Sequence, residues 1–71
     1  MNKLFLSQEL YSVAYIKQAI ESFSELSEIT LENKEDYFVC VFNSTKYETE
    51  TTIKEFENYL IDLCNHLGMA R

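Results

Sequence analysis

A single α+β domain with the order β-α-β-β-α is predicted by three features of this sequence. EITLE, residues 28 to 32, alternates apolar and polar side chains strictly, which is the pattern of a strand with one wet face. YFVCVFN, residues 37 to 43, is greasy on both alternating faces. Two further stretches carry apolar residues at helical spacing, one before this pair and one after it.

Residues 3 to 6, KLFL, read as a short first strand. Ser12 then offers an N-cap. Tyr11 and Ile16 stand at the spacing of a hydrophobic staple. Val13, Ile16, Ala19, Ile20 and Phe23 follow on one helical face, with Lys17, Gln18, Glu21 and Ser22 opposite. This helix is expected to end near Glu25 or Leu26.

The second strand is EITLE, and NKED, residues 33 to 36, is a polar turn leading into the third. A two- or four-residue loop around Lys34 and Glu35 puts Leu31 opposite Phe38 and Ile29 opposite Cys40. Opposed residues share a face. Phe38, Cys40 and Phe42 then join Ile29 and Leu31 on the core side. Tyr37, Val39 and Val41 share the other side with Glu28, Thr30 and Glu32. An odd-length loop would invert this assignment.

Residues 43 to 51 read as a loop. Thr49, Thr51 or Thr52 is placed to cap the last helix, and Thr52 with Glu55 fits a capping box. Ile53, Phe56, Leu60, Leu63, Cys64 and Leu67 form its apolar stripe, and Gly68 is a natural stop before the tail of Met69, Ala70 and Arg71. The helix between the first two strands favours a parallel relation between them. The doubly apolar third strand belongs in the centre. The expectation is a three-stranded mixed sheet, order 2-3-1, with both helices on one face.

With 71 residues there is room for one domain, spanning residues 1 to 71. A domain of this size buries roughly 60% of the surface its unfolded chain exposes, so outside help to stability is usual. The net charge is -6, and the six basic residues are scattered, which argues against nucleic-acid binding. No run reaches the roughly 20 apolar residues of a membrane helix. The N-terminus lacks the apolar core and cleavage site of a secretory signal. Two cysteines make no disulfide framework, so a cytoplasmic protein with reduced thiols is expected.

Catalytic and metal readings are weak. Cys64 and His66 are two apart on a helix, roughly 200° around it, so they diverge. Cys40 faces the core and could approach Cys64, yet a zinc site would still want ligands. Glu48, Glu50, Glu55 and Glu57 read as solvated carboxylates. No catalytic residue, cofactor or metal site is expected. The candidate contact residues are Tyr37, Val39 and Val41, with Thr30 beside them, because an apolar sheet face without a helix over it suits an interface. The competing reading has that face covered by the loop, by Phe5 and by glutamate stems. A partner could be another protein, a second copy of this chain, or a peptide added at the edge of the EITLE strand.

Several stretches together resemble the HxsD-type proteins, small proteins of His-Xaa-Ser peptide systems encoded beside radical SAM maturases. The helix entry is Tyr11-Ser12, followed by Ile16, Lys17 and Ala19, with an aromatic residue, Phe23, near the helix end. Glu55, Phe56, Asn58, Leu60 and Asp62 match the late segment, and Arg71 the closing arginine. Residues between Asn43 and Thr51 carry no match. The resemblance implies a non-catalytic accessory role in peptide modification, in which the protein presents a precursor peptide to a maturase. It brings no catalytic residues to this chain.

Overall fold

The computed structural model describes residues 2–67, with side chains to residue 65. The expected stop at Gly68, the tail of Met69, Ala70 and Arg71, and the side chains of His66 and Leu67 lie outside the described residues. The elements are β1 (Lys3–Ser7), α1 (Val13–Ser22), β2 (Ser27–Asn33), β3 (Tyr37–Thr45) and α2 (Thr49–Leu67). The sheet order is β1-β3-β2, as expected. Both ladders are antiparallel. β1 and β2 run the same way but never pair, because β3 lies between them, so the sheet is wholly antiparallel and not the mixed sheet expected.

Ser12 caps α1 as expected. Its backbone is extended and its Oγ accepts the Ala14 N–H at 3.2 Å. The helix stops three or four residues before the expected end. The Phe23 carbonyl accepts both the Leu26 N–H, at 2.8 Å, and the Ser27 N–H, at 2.9 Å, which turns the chain into β2. Val13, placed on the apolar stripe by spacing, is exposed at the first turn, while Ile16 and Ala19 are fully buried.

Lys34 and Tyr37 exchange backbone hydrogen bonds of 2.8 and 3.3 Å and leave Glu35 and Asp36 as the loop. Leu31 therefore pairs with Cys40 and Ile29 with Phe42, a slip of two residues from the expected register. A slip of two preserves faces. The Gln8 amide nitrogen braces this hairpin from β1's side, within 2.7 Å of Asn33 Oδ1, 2.8 Å of the Lys34 carbonyl and 3.2 Å of the Tyr37 carbonyl.

The segment expected as a loop from 43 to 51 is mostly ordered into elements. β3 continues to Thr45 through a bulge at Asn43, where Glu28 pairs with Ser44 and Ile29 with Phe42. Ser27 lies in step with Ile29 and Leu31 on the core side of β2 and is buried, and the extra residue in β3 brings Thr45 opposite it; the Ser27 hydroxyl donates to the Ser44 carbonyl at 2.8 Å. Only residues 46 to 48 separate β3 from α2. The Glu48 carbonyl accepts the Thr52 N–H at 3.0 Å, so the helix opens at Thr49. Thr52 thus lies one turn inside the helix and makes no capping box with Glu55. Its buried hydroxyl donates back to the Glu48 carbonyl at 2.9 Å.

One cluster holds these elements together. Leu6, Cys40 and Phe42 from the sheet meet Ile16, Ala19 and Phe23 from α1 and its end, and Phe56, Leu60 and Cys64 from α2. Phe56 is the hub. Its ring meets Phe23 edge-on at 5.3 Å and Phe42 edge-on at 5.4 Å, so it touches both the helix layer and the sheet. Both helices therefore cover the same side of β3.

Replacing Phe56 with Ala should cost about 3–5 kcal/mol, comparable to all that a core of this size supplies. Urea titration should find Phe56→Ala largely unfolded. The exposed-face control Ile61→Ala should stay within about 1 kcal/mol of the parent. Equal midpoints for the two variants would refute the hub role.

Candidate interaction surface

Period-two alternation places the remaining strand residues on the side away from the helices. Cross-strand pairing arranges them in rows. Phe5, Val39 and Glu32 form one row, and Lys3, Val41 and Thr30 the next. Ser7 lies beside Tyr37. The buried apolar side chains of α1 and α2 belong to the cluster on the opposite face. Among the described residues, no helix packs on this side.

The four residues expected to make contacts share this face but differ in availability. Tyr37 is 48% exposed. Val41 is half-buried. Thr30 is exposed, and its hydroxyl accepts the Asn43 side-chain amide at 2.6 Å. Val39 is 1% exposed. It sits centrally between its cross-strand partners Phe5 and Glu32. Phe5, 55% exposed, is the largest apolar group presented beside it. Its ring meets Tyr37 edge-on at 6.3 Å, making an aromatic ridge across β1 and β3. Sequence reasoning treated Phe5 as cover and missed it as surface. The signal was present, because Phe5 alternates with Leu4 and Leu6, which face the core.

The face is bounded by charge. Lys3 lies on the β1 side. Glu28 and Glu32 lie on the β2 side, with Lys34 beyond them, 3.9 Å from Glu32. Edge strands commonly carry such charges.

The two thiols belong to the opposite side and to the core. Cys40 and Cys64 are free and buried in the same cluster. Burial pushes the Cys40 thiol up to about 11. Burial also raises Cys64, opposed in part by a hydrogen bond with the Ser12 backbone. Tyr11 is raised by burial first, then by the charges of Glu57 and Cys64. Among the described residues, no cluster of three His, Cys, Asp or Glu side chains is placed to hold a metal ion. No buried side-chain polar atom among them lacks a hydrogen-bond partner. No helix among them is long and apolar enough to cross a membrane.

Comparison with protein-family models, curated proteins and solved structures finds no match to this chain.

The thiol environment predicts slow chemistry. A thiol raised to about 11 holds much less thiolate at pH 8 than an ordinary one. Alkylation of Cys40 in the native protein should be at least about 100-fold slower than in urea, and should quicken as pH rises towards that value. Mass spectrometry of time-quenched samples reads this directly. Equal rates in native and unfolded protein would overturn the buried-thiol assignment and reopen thiol chemistry.

Proposed function

We propose that this protein works by binding, without chemistry of its own, through the sheet face that its helices leave uncovered. One observation carries the reading. Phe5, Tyr37 and Val41 lie together on that face, with the first two about half exposed, above a sealed centre at Val39. Apolar surface grouped this way and rimmed by charge is typical of interaction sites. The resemblance to HxsD-type proteins supplies the context: an accessory protein whose partner is a radical SAM maturase or its precursor peptide. Free cysteines suit a reducing compartment, so the reading places the protein in the cytoplasm.

The test compares the parent protein with a Tyr37→Lys/Val41→Lys variant as bait in an extract of the native cell. Both changes lie outside the core cluster, so circular dichroism should show the fold retained. A partner held by the parent should be reduced at least about tenfold on the variant, as expected for lost central contacts. A partner held equally by both would move the interface away from this face. Recovery of a radical SAM enzyme or a short His-Xaa-Ser peptide would support the pathway, and a reproducible partner of another kind would remove it.

A further inference from the structure

The open face has a charge layout that fits its own copy. It carries Lys3 on the β1 edge, and Glu28, Glu32 and Lys34 on the β2 edge, so its formal charge is balanced although the chain carries -6. Lys3 and Glu28 make no ion pair among the described residues. Two acidic molecules approaching by most surfaces repel one another. At this face they meet a neutral apolar strip with opposite charges on its two flanks.

We propose that the occupant of this face is a second copy of the chain, related by a two-fold axis that runs along β3 between the two sheets. This rests on reading the open face as a contact surface. The symmetry follows from the strand order. Turning the sheet over about an axis parallel to its strands lays β3 on β3 and brings the β1 edge of one copy over the β2 edge of the other. Lys3 lies level with Val41 and Thr30. It therefore arrives above Thr30 of the second copy, with Glu28 and Glu32 on either side. Tyr37 and Val41 meet their own counterparts, as an isologous contact requires. The other in-plane axis, across the strands, would set Glu28 and Glu32 against the same glutamates and Lys3 against Lys3. Opposed like charges disfavour that arrangement. Both in-plane axes keep the strands of facing sheets aligned, as such packing requires, so the charges decide between them. The face is only three strands wide, so the contact belongs to the small, concentration-dependent class.

Sedimentation velocity between about 1 and 500 µM tests this, a range that brackets a micromolar dissociation constant. The parent protein should move from monomer to dimer. Lys3→Glu alone, and Glu28→Lys/Glu32→Lys alone, should each weaken dimerisation at least about tenfold. All three positions are exposed, so the fold should survive, and circular dichroism checks it. Mixing the two variants should restore the dimer, because the reversed position 3 of one then faces the reversed positions 28 and 32 of the other. A general charge effect predicts something else. Glu28→Lys/Glu32→Lys lowers the net negative charge and would then dimerise better than the parent, which would overturn the proposal. A parent monomeric throughout the range would also overturn it, and would leave the face to a foreign partner in the capture experiment. A dimer indifferent both to these charges and to Tyr37→Lys/Val41→Lys would place self-association elsewhere and overturn it as well.

Discussion

The backbone pair between Lys34 and Tyr37 decides which way every residue of β3 points. A slip of one residue would send Cys40 and Phe42 to the outside and Val39 and Val41 against the helices. The hairpin is held against that slip from several directions. Gln8 bridges Asn33 and the two turn carbonyls, and its own N–H donates to the Asp36 carbonyl at 3.1 Å. On the inner side, Phe42 is fixed by the ring of Phe56. Turn and core thus agree on one register, which is the kind of consistency that makes a small fold unique.

Register then distributes the apolar surface unequally. The inner side of β3 gains two helices and an aromatic stack through Phe23, Phe56 and Phe42. α1 is tied to α2 again where the Ser22 and Tyr59 hydroxyls meet at 3.0 Å. The outer side gains only what neighbouring strands can lay across it. That is enough to seal Val39 but not Tyr37 or Phe5. Among the described residues no element forms a second layer there, so apolar surface on the far side of the sheet stays at the surface. Burying it by association would add to a marginal stability, which couples folding to assembly.

Strand order and the two faces were legible because both follow from local alternation. Ile29 and Leu31 alternate with Glu28, Thr30 and Glu32, and β3 is apolar on both sides, as a central strand should be. The two-residue slip of the hairpin was invisible, since turns centred on Lys34–Glu35 or on Glu35–Asp36 give identical faces. The extension of β3 was hidden by composition. Asn43, Ser44 and Thr45 are polar, and the bulge breaks the alternation where a reader would look for it. Thr49, Thr51 and Thr52 all offered capping side chains near the start of α2 and left its first turn ambiguous, and backbone bonding from Glu48 settled it. The burial of Val39 depends on what sits beside it on two other strands. No reading of YFVCVFN alone contains that information.

The same arrangement bears on whether the face or the edge of the sheet is the better surface for association. β1 and β2 each leave one side of their backbone without a neighbouring strand, so an added strand is formally open to either. The edges are guarded in ways the face is not. Glu28 and Glu32 stand along β2 and Lys3 along β1, and an incoming strand would have to solvate or match each charge in register. The bulge opposite Glu28 interrupts the regular ladder at one end of β2, and the hairpin turn closes the other. β1 is only five residues long, with few backbone groups to offer. The face needs no backbone ladder to be matched. Its centre is already dry at Val39, its aromatic pair is pre-arranged by the strands beneath it, and little ordering entropy remains to be lost on contact. In the association proposed above, charge at the margins is the orienting device, disfavouring strand addition and leaving the apolar centre as the favoured approach.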